Sequence, residues 1–249
     1  MSPKKLSAPF PDGVLVVDKP RDWTSHDVCH FLRKRFGIAK VGHAGTLDPM
    51  ATGLLLILFN RATKQSMVLS GQDKDYQGTL RLGIKTDSQD RTGKVLAEGD
   101  ASGVTWAQVA EKAAALTGDI LQVPPMVSAL KHQGVRLYKL ARQGKEVERQ
   151  GRPVKVYQFD ILDKSGPLVQ FFVSVSKGTY VRTLAHDLGE SLGCFAALEA
   201  LRRVRAGVFD LSRCVTVEEL KRMTRDELKN RIIPSSKLPS EKLAADKTA

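Results

Sequence analysis

Four polar side chains crowd one short stretch of this 249-residue chain: His43, Thr46, Asp48 and Thr52, within GHAGTLDPMATG. An imidazole, two hydroxyls and a carboxylate are groups that move protons or attack an electrophilic centre. Asp48 is the only acid between Asp27 and Asp73. Gly42, Gly45, Pro49 and Gly53 punctuate the stretch so closely that it reads as a shaped loop. Directly behind it, Gly53-Leu54-Leu55-Leu56-Ile57-Leu58-Phe59 is an unbroken apolar run of strand length, the pattern of a buried central strand. A polar loop feeding a core strand holds its side chains against a rigid wall. Asp before Pro is equally a turn initiator, and from the stretch alone both readings of Asp48 stand.

Other chemistry-bearing residues are scattered. Tyr76 lies in Lys74 to Leu82, which alternates as a half-buried strand; an aromatic there is core more often than ligand. Arg182 opens a helix whose core face is Val181, Leu184, Ala185 and Leu188. It falls off that face and in the first turn, where a cation opposes the helix dipole. An acidic partner or a screened surface position would each explain it. His26 and His30 stand four apart on a helix, as two zinc ligands would, but no third ligand is near and no HExxH pattern is present. Cys29, Cys194 and Cys214 are odd in number, far apart and without a CxxC pair. Neither a disulfide framework nor a zinc site is expected, and a reducing cytoplasm fits.

Lys and Arg number 39 against 27 Asp and Glu, a net charge of +12. Such a surplus favours a polyanionic partner, either nucleic acid or an acidic membrane surface. The start, MSPKKLSAPFPDG, lacks the apolar core of a secretory signal, and no apolar run is long enough to span a bilayer.

The elements that must position these residues follow in order. Residues 1–12 read as a loose leader. Gly13 to Val17 is a short strand closed by Asp18-Lys19-Pro20. A helix then starts at Thr24, an N-cap with Asp27 three residues on. Val28, Phe31, Leu32 and Phe36 form its apolar face, and Gly37 its stop. Ala62 to Leu69 reads as a short helix ended by Gly71. The segment 83–90 reads as a loop. Thr105 to Leu116 is an amphipathic helix with Trp106, Val109, Ala110, Ala113 and Leu116 on one side, ended by Gly118. Eight basic residues between Lys131 and Lys155 are opposed only by Glu146 and Glu148. That run suits a solvated face or a mobile flap over a polyanion. Strands are expected at Val154 to Leu162 and Leu168 to Ser176, and a disordered tail from Pro234 to Ala249.

GHAGTLDPMATGLL resembles the catalytic motif of the TruB family of tRNA pseudouridine synthases. Gly83 to Asp90, PPMVSALK at 124–131, KGTYVRTL at 177–184 and ALRRVR at 200–205 resemble further segments of that family. The resemblance runs from about residue 13 to 220. It implies an α+β fold, with a mixed, mostly antiparallel central sheet flanked by helices and a basic, thumb-like insertion at about 124–152 that clamps RNA. It implies one catalytic domain over residues 13–233 and a short form with too few residues left for a C-terminal PUA domain. Asp48 is then the catalytic aspartate. Tyr180 and Arg182 lie against the uracil ring and that aspartate, Tyr76 stacks on the base, and Leu201 lines its pocket. His43 fills the space the flipped base leaves or holds the nucleotide. Lys19, Pro20, Gly45 and Thr46 support the site.

The implied substrate is the uridine at position 55 in the T-arm stem-loop of tRNA, converted by a cytoplasmic monomer without cofactor or metal. A catalytically silent RNA-binding protein on the same scaffold is the alternative, as is a relative directed by a guide RNA. The chain departs from the family pattern at Asp22, where a glycine is usual, and at Val127, where a tyrosine is common.

Overall fold

The computed structural model describes residues 10–238 except Ala129 and Arg142. It divides into two compact units, residues 1–72 with 203–249, and residues 73–202. The first stretch holds β1 (Gly13–Lys19), α1 (Ser25–Phe36), β2 (Val41–Ala44), β3 (Thr52–Phe59) and, after a 3-10 turn at Asn60–Gln65, α2 (Ser66–Ser70). The second holds β4 (Lys74–Leu82), β5 (Ile84–Thr86), β6 (Val95–Glu98), α3 (Trp106–Ala115), β7 (Gly118–Gln122), β8 (Lys131–His132), β9 (Val135–Arg136), α4 (Leu137–Ala141), β10 (Arg152–Ser165), β11 (Leu168–Val175) and α5 (Val181–Ser191). β12 (Ala196–Ala206) carries the chain from the second unit back into the first. There β13 (Phe209–Asp210), β14 (Val215–Thr216), α6 (Val217–Arg222), α7 (Arg225–Arg231) and β15 (Ile233–Pro234) follow. The fold is α+β with a mixed, mostly antiparallel set of strands, as the sequence predicts.

In the first unit β3 pairs antiparallel with β1 over seven residues, from Gly13↔Phe59 to Lys19↔Gly53. β1 also takes β14 in parallel and β15 antiparallel. Val14, Val16, Leu54, Leu56 and Leu58 share one core cluster with Ala62, Leu69 and Phe209. Leu15, Val17, Leu55, Ile57 and Phe59, at the alternate positions, are buried too. A strand covered on both faces needs apolar residues at every position, which explains the unbroken run.

α1 is built as its sequence dictates. The Thr24 hydroxyl accepts from the Asp27 N–H at 3.0 Å, and the Asp27 carboxylate accepts from the Thr24 N–H at 2.8 Å. Gly37 closes it in the left-handed conformation at φ 62°. The 62–69 segment is not one helix: a 3-10 turn precedes a five-residue α2.

Both expected ends of the domain lie further out than predicted. Phe10 is buried and stacks on Phe59 with centroids 6.3 Å apart, and Asp12 accepts from Arg61 N at 2.9 Å and Nε at 2.6 Å. Ile233 and Pro234 pair with β1, and Ser235 N donates to Asp12 O at 3.0 Å. Only residues 1–9 of the leader and 239–249 of the tail lie outside the described residues.

In the second unit β4, β11, β10 and β7 run antiparallel in that order. Gly78 of β4 is required, because a Cβ there would run into the Phe171 ring and come within 2.9 Å of Ala200 O. α3 is capped reciprocally by Thr105 and Gln108, and buries Val109 and Ala113. Trp106, placed on its core side by the periodicity, is instead 51% exposed. It is the first helical residue, and the buried stripe begins at the next turn. Gly118 does not stop α3 but opens β7. The 83–90 loop contains β5, paired with β6. Between β7 and β10 the chain forms the β8–β9 hairpin and the five-residue α4. A cavity of about 410 Å³ there is lined by Leu130, His132, Leu137, Arg149 and Arg152.

Candidate active site

In the first unit, β2 and β3 are in register from Val41↔Phe59 to Ala44↔Leu56. Residues 45–51 close the two strands. Left-handed glycines mark the ends of this segment, Gly45 at φ 72° and Gly53 at φ 96°. Leu47, Met50 and Ala51 turn inward and are buried, which leaves Asp48 half-buried between them. Thr46 is exposed. The Asp48 carbonyl accepts from Ala51 N at 3.0 Å, so Asp48 does open a turn. The structural reading and the chemical one therefore occupy the same residue without conflict.

Four side chains fix this loop from outside it. Ser25, at the start of α1, accepts from Leu47 N at 2.9 Å and donates to Leu47 O at 3.2 Å. Lys19 Nζ donates to Pro49 O at 3.2 Å, Pro20 O at 2.8 Å and Trp23 O at 2.6 Å. Arg203 donates to Gly45 O at 2.8 Å and Leu54 O at 2.7 Å. Gly45 N also donates to Ser70 Oγ at 2.9 Å. Lys19 thus holds the loop at Pro49, and the Pro20 carbonyl in turn holds Lys19. Burial pulls the Lys19 amine down to about 8, while the charges of Asp48 and Asp22 act against that. The turn that the family closes with glycine is made here by Asp22 at φ 66°, whose N–H donates to Pro49 O at 2.8 Å. A short polar side chain is among the few that tolerate this conformation.

His43 is not in the loop, as the glycine pattern suggested, but on β2 opposite Ile57. Strand pairing overrides the turn signal of Gly42. Its ring is lowered in pKa by burial first, then by His26 and Arg203, so it is neutral at pH 7. Nδ1 has no hydrogen-bond partner among the described residues.

In the second unit Arg182 is not a surface residue. It is 3% exposed, although it lies off the apolar stripe. Its guanidinium donates to Ser88 O at 2.9 Å and Val127 O at 2.8 Å, and stands 3.7 Å from the Asp90 carboxylate. Asp90 Oδ1 in turn accepts from Ser88 Oγ at 2.8 Å, Thr92 N at 2.9 Å and Thr92 Oγ1 at 2.6 Å. An acidic partner does offset the unfavourable dipole. Tyr180 is bracketed by Gln122, which accepts from Tyr180 N at 2.7 Å and donates to Tyr180 O at 3.1 Å. Tyr76, opposite Val173, and Leu201 on β12 are both buried.

Asp48, His43, Lys19, Pro20, Gly45 and Thr46 thus belong to the first unit, and Tyr76, Tyr180, Arg182 and Leu201 to the second. Ser25, Arg203, Asp90 and Gln122 were not singled out as site residues from the sequence. Their only local signal was polarity at positions the fold buries. Among the described residues no three His, Cys, Asp or Glu side chains are grouped to hold a metal. The chemistry on offer is that of a carboxylate on a rigid turn.

Residues 33–181 match the family model described as the N-terminal domain of TruB family pseudouridylate synthase, and residues 182–239 that of the tRNA pseudouridylate synthase B C-terminal domain. The chain is 47% identical over 223 residues to tRNA pseudouridine synthase B of Opitutus terrae, covering 90% of this chain and 92% of that protein. It is 48% identical to the protein of the same name from Geobacter sulfurreducens, over 85% of this chain and 70% of that one. For Bordetella avium the identity is 44%, over 94% and 96%. Among solved structures it resembles one described as a Cbf5-Nop10-Gar1 complex, at TM-score 0.71 and 29% identity over 89% of this chain. The chain spans 60% of the length of that structure's matching chain.

Proposed function

We infer the function from one premise: the chain belongs to the TruB family of pseudouridylate synthases. It is an isomerase that converts uridine to pseudouridine in tRNA. We propose that its target is the uridine at position 55 in the T arm, that Asp48 is the reacting carboxylate, and that it acts as a cytoplasmic monomer. The reaction breaks the bond from N1 of uracil to the sugar C1′, turns the base, joins C5 to C1′, removes the proton from C5 and places one on N1, so that product and substrate are isomers. Nothing is oxidised, and no donor group is consumed. A carboxylate suffices as the reacting group.

The observation that most supports this role is the bracing of the Asp48 turn by Ser25, Lys19 and Arg203. A reacting group gains rate when it is held in position before the substrate arrives. The target base must leave its stack to reach such a group. Tyr76, Tyr180 and Leu201 supply aromatic and apolar surface for it, Arg182 the cation, and His43 a neutral ring for the flipped nucleotide. The net charge of +12 and the basic 124–152 insertion support RNA as the partner. The three cysteines, none of them in a disulfide among the described residues, suit a reducing compartment.

Mass-spectrometric mapping of tRNA incubated with the protein tests the reading. Pseudouridine is expected at position 55 and nowhere in the product of Asp48→Asn, which should melt with the parent protein. Turnover by folded Asp48→Asn would remove Asp48 from its role. Modification confined to other uridines would remove the T arm.

A further inference from the structure

Arg203 is 1% exposed, in the interior of β12, and gives its hydrogen bonds to backbone carbonyls rather than to a carboxylate. A buried cation is costly, and an aliphatic side chain would fill the same space more cheaply. Its two bonds explain what the cation does there. Nε donates to Leu54 O and Nη2 to Gly45 O. These two nitrogens lie on one edge of the planar guanidinium, so the spacing of the two carbonyls is set by a rigid group. Between those carbonyls lie the Asp48 loop and the first residues of β3, with Gly53 at positive φ. The β1 ladder holds Leu54 opposite Asp18, but the β2–β3 ladder ends at Ala44↔Leu56, so Gly45 is tied to Leu54 across the loop by Arg203. Burial chiefly lowers the His43 ring and the Lys19 amine, and the Arg203 charge adds to it in the same direction.

We propose that Arg203 is a positioning residue for the isomerisation, clamping both ends of the Asp48 loop at the separation that aims the carboxylate. The proposal rests on the function inferred above. A lysine cannot replace the clamp, because a single ammonium on a flexible stem does not fix two carbonyls relative to each other.

The test compares the full-length protein with Arg203→Lys and Arg203→Gln. Single-turnover pseudouridine formation should fall about 100-fold in both, while tRNA affinity stays within about threefold. Backbone hydrogen exchange should accelerate across residues 45–54 and stay unchanged in β10 and β11. A rate within about threefold of the parent in Arg203→Lys would overturn the proposal, as would a loss expressed mainly as weaker tRNA binding. So would failure of both variants to fold in the cold, since a brace of one loop predicts a fold that survives without it. If the parent protein forms no pseudouridine, the functional reading fails. The exchange measurement needs no substrate and still decides the clamp.

Discussion

Lys19 in the first unit and Arg182 in the second are both sealed from solvent, at 0% and 3% exposure, and both serve residues read as functional. They are stabilised differently. Lys19 gives its donors to three backbone carbonyls of its own unit. Arg182 gives two donors to carbonyls and keeps a buried carboxylate, Asp90, at 3.7 Å. Carbonyl dipoles satisfy an ammonium's hydrogen bonds but do not cancel its charge, so its amine titrates near 8. A guanidinium beside a carboxylate stays charged throughout the range of a protein's life. The region around Asp48 therefore carries a cation that answers to pH, and the region around Arg182 a cation held by a carboxylate.

Breaking the ion pair should have the larger effect. Arg182→Met leaves Asp90 buried without its cation and should cost about 3–5 kcal/mol in urea unfolding, with loss of pseudouridine formation. A cost no greater than that of the lysine variant would erase the contrast. Lys19→Met leaves carbonyls without donors and takes a cation from near Asp48 and Asp22, but breaks no fully buried ion pair, and should cost about 1–3 kcal/mol at pH 7.

The pH dependence sharpens the same contrast. Below pH 8 Lys19 is charged in both states, and the folded chain bears the full cost of burying it. Between about 8 and 10.5 the unfolded chain binds the extra proton, so this group's contribution to stability rises with pH. The difference in unfolding free energy between parent and Lys19→Met should therefore grow across that window. A flat difference would show that Lys19 is not perturbed.

The smallest effect concerns the turn beside Lys19. Asp22→Gly relieves a left-handed residue but loosens the unfolded chain, and the two terms should leave the melting temperature nearly unchanged. Asp22→Val should lose about 1–2 kcal/mol. Equal stability of the two variants would mean that the turn had rearranged.

Much of this was legible because it was local. The α1 capping box needs residues three apart, and the bounds of β4 follow from alternation within nine residues. The Asp48 loop announced itself through glycine, proline and motif. The residues that were missed act across distance in the chain. Ser25 holds Leu47 from 22 residues away, Gln122 holds Tyr180 from 58, and Arg203 holds Gly45 from 158. Periodicity cannot reveal such bonds, because each partner is unremarkable in its own window. The helical wheel left Arg182 open between the surface and an acidic partner for a related reason. It ranks positions by one apolar face, while a residue off that face is buried when a loop, here Ser88 to Asp90, covers it.

The first unit is discontinuous, and this bears on how the protein is made. A chain leaving the ribosome presents β1 early, but Val17 pairs with Val215 and Val14 with Ile233. At about 5–20 residues per second, roughly 10–40 seconds of synthesis separate those partners. Residues 73–202 are all available before the last of them emerges. Until then one edge of β1 is an open, apolar template for other nascent chains. The strand that holds Lys19 against the Asp48 loop is thus left with an open edge until the C-terminal strands arrive.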